Sequence, residues 1–556
     1  MSQSDVRVDR DVATDLLSCL ERHAAQRPDA VALTHVTVRG AWRTVTWAEL
    51  RKRTRYFGAH FKGHNFRAGL VPMIAPKSPD LVAAMLGAVG AGSAFACLNP
   101  KLQLPQLLGA LRATSPRLAV VGGASLGLLL AGKDHPIVRR TRWLAIDTRD
   151  DDESCDQIDA LRAVGVLIDE ADLPGETANV LVPLEPSESH RRLGCCLFTS
   201  GSTGNPKGVA VSVGDLVDRA RTEAAWFSLS THDVLLSILP FSFDVGLSQL
   251  LGALWTGCEL VIPRGIVPPI EILESIRERG VTGICGVPTI WQDVIRVWRG
   301  RRSDGELARL RFLTISGGSL ELHGLRQLAE TVPNTEIFKT YGQTETFRST
   351  SLRPDELWTM ADSVGRAYPG VQLRVVRPDN SACDPGEVGE VVHIGMGTML
   401  GYLRDEGDEW GVRILEIDQT KGVMTGDHGY LDSHRYLFLV GRRDSMAKIA
   451  GNRVYPAEAA QRARELPGVQ EAEVVVVKET GQEPVLVCWI VPEHGVRVDA
   501  VELRKALRSL LPSFMIPKHF LSVQTIPRLS NGKPDLLCLQ SDAATQMASW
   551  ASADVD

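Results

Sequence analysis

The segment Phe198-Thr199-Ser200-Gly201-Ser202-Thr203-Gly204-Asn205-Pro206-Lys207-Gly208 gathers hydroxyls, glycines and a lysine directly after the apolar run at 194–198. Glycines let a backbone approach phosphate oxygens closely, hydroxyls add donors, and lysine brings positive charge, so the segment suits a polyphosphate. An ordinary solvated Gly/Ser loop has no need of that combination. It is also not a Walker loop, which places glycine before Lys-Ser/Thr; here Pro206 precedes Lys207 and Gly208 follows, which argues against a P-loop phosphotransferase. Three further polar residues stand in short distinctive contexts: Glu345 in Tyr341-Gly342-Gln343-Thr344-Glu345, Asp427 in Thr425-Gly426-Asp427, and Lys533 in Pro527-Arg528-Leu529-Ser530-Asn531-Gly532-Lys533. Taken singly, these are a surface ion-pair partner, a turn cap and one exposed lysine among many.

The elements that must position these groups follow from the hydrophobic pattern. Short apolar runs at 118–123, 233–240, 259–263, 281–288 and 310–318 alternate with amphipathic stretches such as 269–280 and 322–333. Strand then helix, repeated, predicts an α/β architecture with buried, mostly parallel strands in a large N-terminal domain spanning 15–440. From about Gly370 the turn-rich Asp384-Pro385-Gly386 context predicts an antiparallel β subdomain. Beyond Gly441-Arg442-Arg443-Asp444 the pattern predicts a small α+β C-terminal domain over 446–540. It has helices near 456–466 and 499–511 and strands at 471–479 and 484–492. The Ser-, Ala- and Asp-rich residues 541–556 read as a frayed tail. No internal repeat or low-complexity block interrupts the chain.

Composition narrows the function. The chain has 556 residues, 44% hydrophobic and 23% charged, which is ordinary globular usage and excludes wholesale disorder. Its formal charge of 61 − 67 = −6 provides no overall basic field for nucleic acid. The cysteines at 19, 97, 155, 195, 196, 258, 285, 383, 488 and 538 form no Cys-x-x-Cys pair, so a structural zinc site is not expected. Unpatterned thiols in a large chain, with no apolar h-region at the start, point to a reduced cytoplasmic setting. The longest uncharged run, Leu81–Pro100, contains three glycines and reads as a buried helix leading into a strand, not a membrane span.

The loop at 198–208 resembles the phosphate-binding signature of the ANL adenylating superfamily. Further motifs of that family follow in its order: Thr46-Trp47-Ala48-Glu49-Leu50, Gly90-Ala91-Gly92-Ser93-Ala94-Phe95, the Tyr341–Glu345 and Thr425–Asp427 motifs, Gly441–Asp444, Lys448–Val454, 511–517 and 527–533. The resemblance covers about residues 20 to 535. It implies an ATP- and Mg²⁺-dependent ligase that converts a carboxylate into an acyl-AMP and then a thioester. Thr199, Ser200, Gly201, Ser202, Thr203, Gly204 and Lys207 would contact phosphates together with Thr344. Glu345 would hold Mg²⁺, a hard ion suited to carboxylate oxygen. Tyr341 and Gly342 would lie beside the adenine, Asp427 would accept the ribose hydroxyls, and Arg442 would stand close to the nucleotide. Lys533 would bridge carboxylate and α-phosphate in the transition state. Asp444 marks the hinge at 441–445, about which the family's mobile C-terminal domain turns to exchange the Lys533 loop for the Lys448–Arg453 face. The acceptor thiol belongs to phosphopantetheine, so the cysteines are expected to fill cores.

Substrate choice is expected to reside in Phe243, Asp244, Ser316, Gly317, Gly318 and Arg348, with Cys285, Thr340 and Ser248 as neighbours. Amino-acid-activating members of the family carry an aspartate after the aromatic at this place, because a desolvated ammonium needs a counter-charge. The alternatives for Asp244 are a helix cap or an internal ion pair. Arg348 either pairs with a second carboxylate on an acidic amino acid or packs against the nucleotide side or a neighbouring acid of the protein. Gln343 is more typical of acyl-CoA ligases than of peptide-synthetase modules. The combination resembles stand-alone enzymes that load amino acids, β-amino acids included, onto discrete carrier proteins. An acyl-CoA ligase acting with free CoA on an unaminated acid is the alternative. Neither reading involves nucleic acid or a membrane.

Overall fold

The computed structural model describes the chain outside residues 1–14, 38–39, 64–68, 147–151, 164, 166, 168–188, 201–205, 266, 299–308, 319, 321, 404–413, 418–419, 444–446, 450–451, 478–483, 530–531 and 554–556. The chain divides into two compact units. The first comprises Met1–Ala361, Ala367–Gln372 and Ile394–Val423, the second Asp362–Arg366, Leu373–His393 and Met424–Asp556. The antiparallel strands expected as an appendage of the large domain therefore fall mostly with the C-terminal part, and the break comes at Val423 ahead of the motif at 441–445.

The first unit is built on two sheets. Eight strands of a nine-stranded sheet lie wholly within it, in the order Thr350–Leu352, Glu336–Tyr341, Phe312–Ile315, Gly283–Gly286, Val234–Leu236, Glu259–Ile262, Val31–Val36 and Trp42–Thr46. Its interior pairings are parallel, and its outer hairpins, 42–46 on 31–36 and 350–352 on 336–341, are antiparallel. The seven-stranded sheet runs Gly401–Tyr402, Pro206–Ser212, Leu193–Ser200, Ala94–Leu98, Leu70–Ile74, Leu118–Gly122 and Arg142–Ile146. There, only the first two pairings are antiparallel. Buried strands such as Ala94–Leu98 and Leu118–Gly122 are apolar on both faces, as parallel strands covered by helices must be. Residues of the 81–100 run form the buried helix Pro79–Gly90 and then a strand, in agreement with the sequence reading. No helix among the described residues is long and apolar enough to cross a membrane.

In the second unit, Leu437–Arg442 pairs antiparallel with the end of Thr420–Leu431. Val469–Val477, Val485–Pro492 and His519–Ser522 form a three-stranded sheet, with Pro456–Arg464 and Ala500–Leu507 as helices. The expected frayed tail is instead helical: Leu536–Ala553 is a helix whose Leu539 and Ala543 pack with Val475, Val477 and Val487. Leu539, Ala543 and Met547 recur at intervals of four, so a narrow apolar stripe overrides the polar composition.

Candidate active site

The strands flanking the glycine-rich segment pair antiparallel, with Thr199 opposite Lys207 and Ser200 opposite Pro206. Gly201, Ser202, Thr203 and Gly204 lie outside the described residues. The second of these strands pairs with Gly401–Tyr402, Tyr402 opposite Val209. Lys207 Nζ stands 5.8 Å from the centroid of the Tyr402 ring. The Tyr402 hydroxyl in turn donates to Glu345 Oε1 at 2.7 Å. Lys207 and Glu345, far apart in sequence, thus meet at one locus through a residue that the sequence did not mark. Its one sign, a Gly-Tyr pair after a turn-rich stretch, has no chemistry of its own.

Glu345 is buried, in the loop that joins strands Glu336–Tyr341 and Thr350–Leu352. The loop closes by Ser349 N–H to Tyr341 O (2.9 Å) and Thr346 N–H to Gln343 O (2.9 Å), with Thr344 half-buried at its tip. Gly342 is obligatory here: a Cβ would stand 1.8 Å from Phe347 O. Glu345 Oε2 makes no hydrogen bond among the described residues, and a carboxylate oxygen is a suitable ligand for a hard divalent cation.

The helix Asp244–Thr256 begins at the predicted acid-pocket aspartate. Gly246 permits that start, because a Cβ there would meet Pro240 O at 2.3 Å. Asp244 is 8% exposed and lies in the first turn, where the helix dipole favours a negative charge. Phe243 faces Gly317: a Cβ on Gly317 would stand 3.8 Å from Phe243 Cζ and from Val287 Cγ1. Gly317 and Gly318 are exposed. Ser316 instead turns inward, bonded through Oγ to Thr340 Oγ1 (2.7 Å) and Thr314 Oγ1 (3.3 Å). Ser248 Oγ donates to the Asp244 main-chain carbonyl at 2.6 Å, a helix-internal bond. Lys77, also unmarked by the sequence, donates from Nζ to Ser237 O at the approach to this loop.

Of the two expectations for Arg348, recognition of a substrate carboxylate needs correction, and packing against a neighbouring acid of the protein is what the geometry gives. Its guanidinium is 3% exposed and lies 3.0 Å from each carboxylate oxygen of Glu223, on helix Val213–Trp226. It also sits over the rings of Phe227, Phe347 and Tyr368. Burial works to raise the Glu223 pKa and Arg348 opposes it, leaving the carboxyl above its ordinary value. Burial likewise acts to lower the Arg348 pKa, but Glu223 and Tyr368 more than offset it. One hydrogen bond, Nη2 to Oε1, and the ion pair of Nη1 with Oε2 commit Arg348 to Glu223, although Arg348 Nε and Nη1 and Glu223 Oε2 make no hydrogen bond among the described residues. Cys285 lies against this pair, its thiol pushed up to about 12 by burial, as befits a core residue.

In the second unit, Asp427 and Arg442 are register partners on adjacent strands, with Arg442 Nη1 3.2 Å from Asp427 Oδ1. Asp427 N–H donates to Thr425 Oγ1 at 3.1 Å, and Gly426 supplies the left-handed turn at φ 73°. Lys533 is exposed on a small hairpin, closed by Leu529 N–H to Lys533 O at 2.8 Å and turned at Gly532 with φ 82°. An ion pair of 2.5 Å between Arg528 and Glu471 anchors that hairpin to the three-stranded sheet. Asp444 lies outside the described residues.

A family model described as AMP-binding enzyme matches residues 20–403, and one described as AMP-binding enzyme C-terminal domain matches 460–533. The chain belongs to the AMP-binding enzyme family. This AMP-binding enzyme is 27% identical over 542 residues to a D-alanine–D-alanyl carrier protein ligase of Bacillus mycoides (strain KBAB4), covering 95% of the chain and 99% of that protein. It is 25% identical over 548 residues to surfactin synthase subunit 2 of Bacillus subtilis (strain 168), covering 96% of the chain but only 14% of that protein. Among solved structures, the anthranilate CoA ligase AuaEII in complex with anthranoyl-AMP superposes with a TM-score of 0.80 at 20% identity, covering 99% of this chain and 100% of that one.

Proposed function

We propose that this AMP-binding enzyme adenylates a carboxylate with ATP, most suitably that of an amino acid, and passes the acyl group to the phosphopantetheine thiol of a separate carrier protein. The observation that carries the first half is the convergence of Lys207, Tyr402 and Glu345. A substrate carboxylate oxygen attacks the α-phosphorus, the bond to the bridging oxygen breaks, and pyrophosphate leaves with the electron pair. Charge accumulates on phosphoryl oxygens, so the protein contributes mainly by positioning and electrostatic stabilisation. Lys207 supplies a fixed positive charge beside the glycine-rich segment, and Tyr402 fixes the Glu345 carboxylate. Mg²⁺ held by Glu345 would neutralise charge on the triphosphate. Lys533 reaches the carboxylate and α-phosphate from its own hairpin, Asp427 takes the ribose hydroxyls, and Arg442 orients Asp427. In the second half-reaction the thiol sulfur attacks the acyl carbon and AMP leaves, a step that needs no cysteine of this chain.

The amino-acid reading rests on Asp244, a buried carboxylate at a helix start beside the Phe243–Gly317 contact, and on the kinship with ligases that load D-alanine onto carrier proteins. With Arg348 committed to Glu223, the structure lends no support to an acidic amino acid. Gln343 and the likeness to an aryl-CoA ligase fold favour the second reading, an acyl-CoA ligase with free CoA. A pyrophosphate-exchange screen of amino, β-amino, aryl and fatty acids separates them: exchange confined to unaminated acids defeats the amino-acid reading.

A further inference from the structure

Phe347 adopts φ 61°, a left-handed conformation that costs a bulky residue energy which glycine or asparagine would avoid. Two guanidinium groups hold its ring there, Arg219 with Cζ 4.8 Å and Arg348 with Cζ 5.5 Å from the centroid. Glu223 matches the charge of Arg348. Arg219 is different. It is 1% exposed, its Nη2 donates to Gly397 O at 3.3 Å, and its Nε and Nη1 have no hydrogen-bond partner among the described residues. Neither does any described carboxylate pair with it. A buried guanidinium so poorly compensated weakens the fold, and an apolar side chain would serve the core better if packing were its only role.

Its two contacts show another role. The Phe347 ring belongs to the loop that carries Glu345, two residues earlier. Gly397 belongs to the turn that grips the same loop from the other side: a Cβ on Gly397 would stand 2.6 Å from Thr346 O, and Met399 N–H donates to Glu345 O at 3.0 Å. We propose that Arg219 is a positioning residue which, by clasping the Phe347 ring and the Gly397 carbonyl together, fixes the direction of the Glu345 carboxylate toward a divalent cation bound with ATP. This rests on the reading of Glu345 as the metal-holding carboxylate. Without the clasp, Phe347 relaxes toward right-handed φ and carries Thr346 and Glu345 away from Tyr402.

The test uses the full chain with Arg219→Met, Arg219→Lys and Phe347→Leu, reading ATP binding by calorimetry with Mg²⁺ or with EDTA, and pyrophosphate exchange across a Mg²⁺ titration. Arg219→Met should raise the half-saturating Mg²⁺ concentration and the Kd for Mg-ATP about tenfold, the scale on which groups behind a metal ligand act. ATP affinity in EDTA and KM for the carboxylate should stay within about twofold, since the clasp acts on the metal ligand alone. Arg219→Lys should recover part of the loss, and Phe347→Leu should reproduce it without adding to Arg219→Met. Unchanged Mg²⁺ dependence, or a fall in kcat alone that reflects a smaller folded fraction, overturns the proposal. Should Arg219→Met fail to fold, Phe347→Leu carries the same titration. Failure of the wild-type protein to bind Mg-ATP would instead overturn the reading of Glu345 itself.

Discussion

Tyr402 Oη and Glu345 Oε1 lie 2.7 Å apart, and this hydrogen bond joins the two sheets of the first unit. Tyr402 belongs to an edge strand of the seven-stranded sheet, Glu345 to a loop between two strands of the nine-stranded one. Tyr402→Phe removes the donor and keeps the ring over which Lys207 stands. A hydrogen bond to a charged group contributes about 1.5–3 kcal/mol, so pyrophosphate exchange should fall roughly tenfold or more with little change in Tm. Exchange at the wild-type rate would show that Glu345 needs no such support.

Asp244→Ala should discriminate between substrates. Removing one partner of a desolvated charge pair costs about 2–5 kcal/mol, so kcat/KM for an aminated acid should fall at least roughly thirtyfold. An unaminated analogue of the same shape should be spared. An equal loss for both makes Asp244 a structural residue of its helix start.

Lys533→Ala should cut the adenylation rate by about two to three orders of magnitude, as loss of a transition-state charge does, while equilibrium ATP binding persists. Because Lys533 is exposed on its hairpin, folding should be unaffected. Circular dichroism with single-turnover acyl-AMP formation checks both, and normal single-turnover rates would remove Lys533 from the mechanism.

Asp233 gives a pH test remote from catalysis. Burial acts to raise its pKa, but bonds from Thr282 Oγ1 (2.7 Å), Ser230 N–H (2.7 Å) and Arg311 Nη2 (2.8 Å) hold it below the ordinary 3.8. A lowered folded-state pKa means that the stabilisation is present above the ordinary aspartate range and fades as pH falls through the folded value. Asp233→Asn should therefore lower Tm at pH 7, and the gap to wild type should narrow below about pH 4. A gap independent of pH would contradict the assignment.

The alternating strands and helices and the strand pairing that flanks the glycine-rich segment were legible because each is written locally: β-branched runs, amphipathic periods and a cluster of small residues between two apolar stretches. What escaped was fixed by long-range pairing. Arg348 meets Glu223 across 125 residues, and Tyr402 meets Glu345 across 57, and no local spacing reveals either partner. The helix at Leu536–Ala553 was hidden for a different reason, since three apolar residues four apart suffice to bury one face while the overall composition stays polar. Ser316 was expected on a pocket wall, but its hydroxyl turns inward to Thr340 of the neighbouring strand, a partner that local spacing does not reveal.

Phe243, Asp244, Gly317 and Gly318 are all borne on elements of the nine-stranded sheet and its crossovers, whereas Lys207 and Tyr402 hang from the other sheet. The candidate acid-pocket residues and Glu345 thus share one sheet while Lys207 stands on the other, and the Tyr402–Glu345 bond is one of several contacts that join them. An engineer who randomises the first set for a new acyl donor therefore works on the scaffold that also bears Glu345, and has to leave the loop at 341–349 untouched.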